Sequence, residues 1–342
     1  MLDILKAHEI HLPSRFRLQS YLRKITRLRP QHLDCCVNSC IAYTGQYSNL
    51  TACSHCQESR YASDSYRSRK TFSFIPLIDR LKLQYSNSDR ATILSTYRAN
   101  LTPSADGSMR DFFDGDLYRQ FHVDQLKLFQ DSRDVALQLS IDGVQVTNKR
   151  NFEITPVIFI NLNLPPDQRY KIENIMASAI IPGPKKSKDI DSFLRPMIDE
   201  LKMLHDGIDC YDAATNSHFT LHAWITMTTG DGPAIADIMG FKRPGNAFRP
   251  CRHCLITGTL GSNIYYVPHT DYNFDRQPLR HENLREIIHL VAEANSPQHC
   301  KQYGINRASI LLELESLHFP RSFPIDIMHC ILLNITETLW KL

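Results

Sequence analysis

The chain has 342 residues, 42% hydrophobic and 22% charged, with 39 Lys and Arg against 36 Asp and Glu. That is ordinary globular composition, long enough for one large core or two modest ones, and no low-complexity tract interrupts it. The net charge of +3 does not by itself announce a nucleic-acid binder, but the charge is uneven. From Leu12 to Leu33 the chain carries Arg15, Arg17, Arg23, Lys24, Arg27 and Arg29 and no acid, and Tyr66 to Lys70 adds Arg67, Arg69 and Lys70. Basic blocks of this kind suit phosphate, although each also fits a solvated helix face. No apolar run approaches the ~20 residues of a membrane helix, and the N-terminus lacks a charged-then-apolar signal pattern. An intracellular protein without a membrane partner is expected, and its ten cysteines then read as thiols or metal ligands rather than disulfides.

Residues 1–30 read as a basic helical arm, because SRFRLQSYLRKITRL spaces its apolar residues at near-helical period. Residues 31–62 are rich in cysteine and turn formers. Residues 63–135 are expected to be a mainly helical linker, with IPLIDRLKLQYS and RATILSTYRAN the clearest pieces. In 136–342, ALQLSIDGVQV (136–146) alternates like a strand and ITPVIFINLNL (154–164) reads as a second strand able to pair with it. IIPGPKKSKDIDS is a loop with a helix start near Asp189 or Asp191, and FLRPMIDELKMLHDG is an amphipathic helix carrying Pro196 near its start. LHAWITMTT (221–229) is a buried strand, and PAIADIMGF (233–241) a helix opening with Pro. Residues 243–283 read as irregular and the last sixty as helical. This order of elements indicates an α/β core with inserted segments.

Cys36-x3-Cys40 and Cys53-x2-Cys56 form two short thiol pairs twelve residues apart, a spacing that can close a structural, tetrahedral zinc site. Cys35 and His55 are spare. Cys251-x2-Cys254 supplies half of a second site, which His329 could complete, with Asp326 or Cys330 as a fourth ligand. The carboxylates carry a different signal. Asp142 follows LSI and precedes Gly143, and Asp231 lies between Gly230 and Gly232 where a strand gives way to a helix. An Asp at a strand tip is either a helix cap or a carboxylate aimed at a ligand. Two such tips in a chain with basic segments suit a divalent-metal site, since Mg²⁺ prefers one or two carboxylates together with phosphate oxygens.

The chain resembles the CACTA-type (En/Spm-like) DNA transposases, in particular their fungal branch. The pieces that carry the resemblance are CVNSCIAYTGQYSNLTACSHCQESRY, RDVALQLSIDGVQV, VIFINLNLPPDQRYKIENIMASAIIPGPKKSKDIDSFLRPMIDEL, TTGDGPAIADIMGFK, PCRHC and FPIDIMHCIL. The resemblance implies an RNase H-like mixed sheet core with helical insertions, preceded by a zinc ribbon-like module. It implies cut-and-paste transposition in the nucleus on element ends and target DNA, with homo-oligomers allowed. Three acids of that fold hold Mg²⁺ for cleavage and strand transfer. Asp142 and Asp231 match the first two, Cys251 and Cys254 the CxxC, and Asp326 and His329 the Asp-x-x-His element. The third acid, a Glu on a later helix, has no secure counterpart before Leu342; Glu337, Glu313 and Glu315 are the nearest candidates. The chain therefore reads as a C-terminally truncated core that binds DNA and cleaves it poorly. The alternative is a catalytically dead, transposase-derived DNA- or protein-binding zinc module.

Overall fold

The computed structural model describes residues 14–26, 28–63, 65–102, 104–145, 153–183, 186–254, 256–266, 284, 286–289, 293 and 296–341. The first part of the basic arm, Arg27, Val146, Pro184 and Lys185, and residues 267–283 lie outside them. The centre is a mixed sheet with helices. Strand β1 is Gln31–Asp34, β2 Thr71–Phe74, β3 Val135–Ile141, β4 Val144–Gln145, β5 Glu153–Asn161 and β6 Met176–Ile181. Strand β7 is Ile208–Asp212, β8 Ser217–Leu221 and β9 Ala223–Thr229. The sheet order is β1-β2-β6-β5-β3-β9, with β4 paired to β5. Neighbours from β1 to β3 run antiparallel, and β9 runs parallel to β3. Strands β7 and β8 form a separate antiparallel hairpin.

Strand β3 is buried on both faces, which explains its dense apolar composition. Val135, Leu137, Leu139 and Ile141 face the main core, together with Val157, Phe159 and Ile225. Ala136 turns the other way, toward Ile160, Leu162, Trp224, Phe113 and Phe129. The period-2 alternation of strands sorts these residues onto the two faces. On the main-core face lie helix α2 (Leu77–Tyr85) and helix α4 (Ile190–Asp206), reached after α1 (Arg15–Thr26) and α3 (Ser88–Thr96). Helix α5 (Gly232–Met239) adds Ile235, Ile238 and Met239. Helix α4 buries Phe193, Leu194, Met197, Ile198, Leu201 and Leu204, the helical spacing that its sequence announced. Its N-cap is Asp189, whose side chain accepts from the Ser192 N–H.

Five strands and the C-terminal region differ from the sequence reading. Strands β1 and β2 flank the cysteine-rich segment and join the core sheet, so this segment grows out of the sheet edge. MASAII forms β6, and the polar stretch IDCYDAATNSHFTL forms the β7–β8 hairpin. Among the described residues of the last sixty, helix α6 (Pro297–Tyr303) is followed by turns and a 3-10 turn at Ile310–Glu313, and helix resumes as a π-helix over Met328–Thr336 and an α-helix over Glu337–Trp340. None of the described helices is long and apolar enough to cross a membrane.

One contact between helices makes stability depend on pH. Helix α2 starts after Pro76, which offers no side-chain cap. Glu200 on α4 supplies one instead, accepting from Leu77 N–H at 2.8 Å and Ile78 N–H at 3.4 Å. Burial pushes its pKa up from 4.5 to about 7 against the opposing effect of these hydrogen bonds. Between those values the folded chain keeps a proton that the unfolded chain has lost. Stability therefore falls as pH rises through this window, by at most about 1.4 kcal/mol per pH unit. Glu200→Gln should flatten that slope in urea midpoints measured from about pH 5 to pH 7. An unchanged slope would show that the carboxyl is not the titrating group.

Candidate functional site

Strands β3 and β9 lie side by side and parallel, with Ser140 opposite Thr229. Their C-terminal tips are therefore adjacent, and Asp142 and Asp231 are the residues that leave them. Gly230 is required by this close approach: a Cβ there would lie 2.5 Å from the Ile141 carbonyl oxygen. Asp231 is the N-cap of α5, and its Oδ1 accepts from Ala234 N–H at 2.6 Å. The cap and ligand readings of Asp231 are thus compatible, because the second carboxylate oxygen is not used by the cap. Asp142 has the same economy, with Oδ1 accepting from Gly143 N–H at 2.7 Å.

Both aspartates line one cavity of about 300 Å³, together with Gly143, Gln145, Glu153, Lys186 and Ala234. It adjoins a groove of about 320 Å³ lined by Asp142, Glu153, Lys186, Lys188, Arg243 and Arg307 among others. Arg243 pairs with Asp237 (3.0 Å) and Arg307 with Asp191, while Lys186 lies 3.9 Å from Glu153 and is half exposed. Glu153 escaped the sequence reading. It arrives through the β4–β5 pairing, which sets Gln145 opposite Glu153. Its carboxylate lies where a Cβ on Gly143 would be, so the Gly after Asp142 makes room for it.

The other acids are engaged elsewhere. Glu313 forms ion pairs with Arg195 and Lys202, which hold its pKa down to about 2. Glu337 pairs with Lys341 (2.5 Å) on the exposed terminal helix. Neither lines the aspartate cavity, nor does Glu315.

The four-cysteine expectation matches the geometry. The Sγ atoms of Cys36, Cys40, Cys53 and Cys56 all lie within 4.8 Å of one another. Four thiolates at this spacing could hold a zinc ion in a closed tetrahedral site. Burial pushes the Cys40 and Cys53 thiols up. At Cys56 burial is outweighed by hydrogen bonds from Asn38 and the Glu58 backbone, which bring its pKa down to about 7. Cys35 faces the main core instead, and His55 is not part of the group.

The second expected zinc site is not gathered at the spacing of the first among the described residues. Among the described residues no other set of three His, Cys, Asp or Glu ligand atoms closes to this degree, and Cys251, Cys254, Asp326 and His329 are not held at that spacing. The CxxC turn does reach the segment ahead of Asp326, because Arg252 donates to the carbonyls of Phe323 (3.1 Å) and Pro324 (2.8 Å). His329 is taken by Asp326, with Nδ1 and Oδ2 2.5 Å apart. That hydrogen bond raises the His329 pKa, and the carboxylates of Asp231 and Asp142 add to it. The Asp-x-x-His element thus faces the strand-tip aspartates electrostatically.

The basic segments also divide. In the block from Tyr66 to Lys70, Arg69 pairs with Glu58 (2.7 Å), and Lys70 is spent on hydrogen bonds to Val37, Ser39 and Gly183. Two of its three cations serve the cysteine segment rather than an external phosphate.

A search of curated proteins found no matching relative. A family model does match, that of the transposase family tnp2, over residues 106–302. The matched span is more than half of the chain and includes both strand-tip aspartates, Glu153, the lysine turn and the CxxC, and on that match the chain belongs to the transposase family tnp2.

Proposed function

We propose that the chain is the core of a cut-and-paste DNA transposase of the CACTA type, acting in the nucleus on element ends and target DNA. The observation that carries this reading is the pair of aspartates on adjacent parallel strand tips, opening on one cavity beside a lysine-lined groove. The order β6-β5-β3-β9, with three antiparallel neighbours and a parallel fourth strand after helix α4, supports an RNase H-like arrangement. The free oxygens of Asp142 and Asp231 are hard donors of the kind Mg²⁺ takes, so these two residues would hold it. When bound, Mg²⁺ supplies activation of the attacking oxygen and charge stabilisation at the phosphodiester. The chain's own residues do the rest: Lys186 and Lys188 hold the backbone phosphates, and the Asp231 cap fixes one carboxylate at the start of α5.

The second reading, a non-catalytic DNA-binding module, is favoured by one observation. Glu313 and Glu337, two of the acids that could have supplied the third ligand, are ion-paired away from the cavity. Mg²⁺ held by two aspartates keeps several waters, and a poorly placed attacking group costs on the order of a hundredfold in rate. We therefore expect tight but salt-sensitive DNA binding and weak nicking. Duplex binding titrated against salt should show a steep negative slope, and Lys186→Gln with Lys188→Gln should make it shallower by about two units. Binding indifferent to salt and to these lysines would remove the DNA reading of the groove. Vigorous Mg²⁺-dependent nicking would remove the non-catalytic one.

A further inference from the structure

The turn that carries Lys186 and Lys188 is held at both ends by the cysteine segment. At one end the Gly183 carbonyl accepts from Ser39 Oγ (2.8 Å) and from Lys70 Nζ (2.6 Å). At the other end the carbonyl of Cys40, itself one of the four clustered cysteines, accepts from the N–H groups of Lys188 (2.9 Å) and Asp189 (3.0 Å). The helix that follows is held in the same way. Pro196 has no N–H, so the Ser192 carbonyl lacks its helical partner four residues on. Thr44 Oγ1 donates to that carbonyl instead. Ala42 N–H donates to Ser192 Oγ (2.9 Å), and Tyr47 OH to Asp189 Oδ2 (2.8 Å). The proline that looked like an interruption of α4 thus opens a docking point for the cysteine segment.

All the docking groups except Lys70 lie between Ser39 and Tyr47, threaded around Cys40. The segment has little apolar interior of its own: Cys36, Cys40, Ile41, Tyr43 and Cys53 are its buried cluster. So few apolar contacts do not fix a segment of this length, whereas a four-thiolate metal site does.

We infer that metal bound by Cys36, Cys40, Cys53 and Cys56 positions the Lys186–Lys188 turn beside the Asp142–Asp231 cavity. The cysteine segment is then a clamp on the nucleic-acid groove, not a separate binding head. The statement about the turn stands on its own; its consequence for DNA rests on the reading of the groove given above.

Hydrogen exchange on the full chain tests the clamp without DNA. Removing zinc with a chelator should speed exchange of the Lys188 and Asp189 amides at least about tenfold, while Leu137 and Leu139 in β3 stay protected. In parallel, the salt slope of duplex binding should fall by about two units. Should chelation unfold the core as well, Thr44→Val combined with Ser39→Ala decides. This variant keeps all four cysteines, so its zinc content by mass should be unchanged while the two amides still exchange faster. Unchanged exchange at Lys188 and Asp189, on chelation with β3 intact or in the zinc-loaded variant, overturns the clamp. Faster exchange with an unchanged salt slope supports the clamp and overturns the groove as a phosphate site.

Discussion

Asp231→Asn should leave the fold standing and weaken divalent-cation binding more than tenfold, whereas Asp231→Ala should damage both. The two substitutions separate the cap that the geometry shows from the cation-ligand role proposed above for the same side chain. Oδ1 caps α5 by accepting from Ala234 N–H. Asn caps a helix about as well as Asp, so its cost should stay within about 1 kcal/mol, mostly from the lost charge at the helix N-terminus. Ala cannot cap, and its cost should be about 1–2 kcal/mol. Both remove one of the two strand-tip carboxylates. Affinity for Mg²⁺ or Mn²⁺, read by calorimetry, should weaken more than tenfold, and any nicking by more than about a hundredfold. Asp142→Asn should behave like Asp231→Asn, since its carboxylate lines the same cavity. Cation affinity that survives Asp231→Asn, with only the Ala variant losing stability, would reduce Asp231 to a cap.

The strand-tip placement of Asp142 and Asp231 was legible because each follows a dense apolar run and adjoins glycine, a local pattern that needs no tertiary knowledge. The same holds for α4, whose burial repeats at helical spacing, and for Asp189 at its start. The four clustered cysteines were legible from spacing. What the sequence hides is long-range register. Glu153 reaches the cavity only because β4 pairs with β5 as it does, and nothing near Glu153 in sequence announces this. Strands β1 and β2 have four residues each and gain their partners across the sheet, too little for a periodic signal. Strands β7 and β8 expose alternate residues, so their polar content masks them. The block from Arg67 to Lys70 misled in the opposite direction. Charge density suggested phosphate, but Glu58 and three oxygens of the folded chain already answer Arg69 and Lys70. His329 was drawn to the CxxC by ligand chemistry, while Asp326, one helical turn away, was the nearer partner.

Asp111→Ala should be among the most destabilising single substitutions in the chain, at about 3–5 kcal/mol. Asp111 and Arg169 have side chains only 1% and 5% exposed. Their pairing is bidentate: Arg169 Nη1 reaches Oδ1 at 3.2 Å and Nη2 reaches Oδ2 at 2.7 Å. The remaining polar atoms are also answered. Arg169 donates to the carbonyls of Leu164 (2.7 Å) and Leu162 (2.8 Å), and Tyr97 OH donates to Asp111 Oδ2 at 2.5 Å. Removing the carboxylate strands a guanidinium in a site that water does not reach, and that penalty is larger than the net worth of the pair. Arg169→Met alone should cost a similar amount, because it strands Asp111. The double variant should be milder than the sum of the two, since it buries no lone charge, although the Leu162 and Leu164 carbonyls lose their donor. Denaturant midpoints of the four proteins would give this coupling directly. The pair ties the stretch before Phe112 and Phe113 to the short helix Pro166–Arg169 that follows β5, and Phe113 belongs to the cluster that backs Trp224 on β9. Loss of the pair should therefore lower the folded fraction while leaving cation affinity per folded molecule unchanged. A cost below about 1 kcal/mol for Asp111→Ala would mean that water reaches the guanidinium and that the aromatic side of the sheet is held by packing alone.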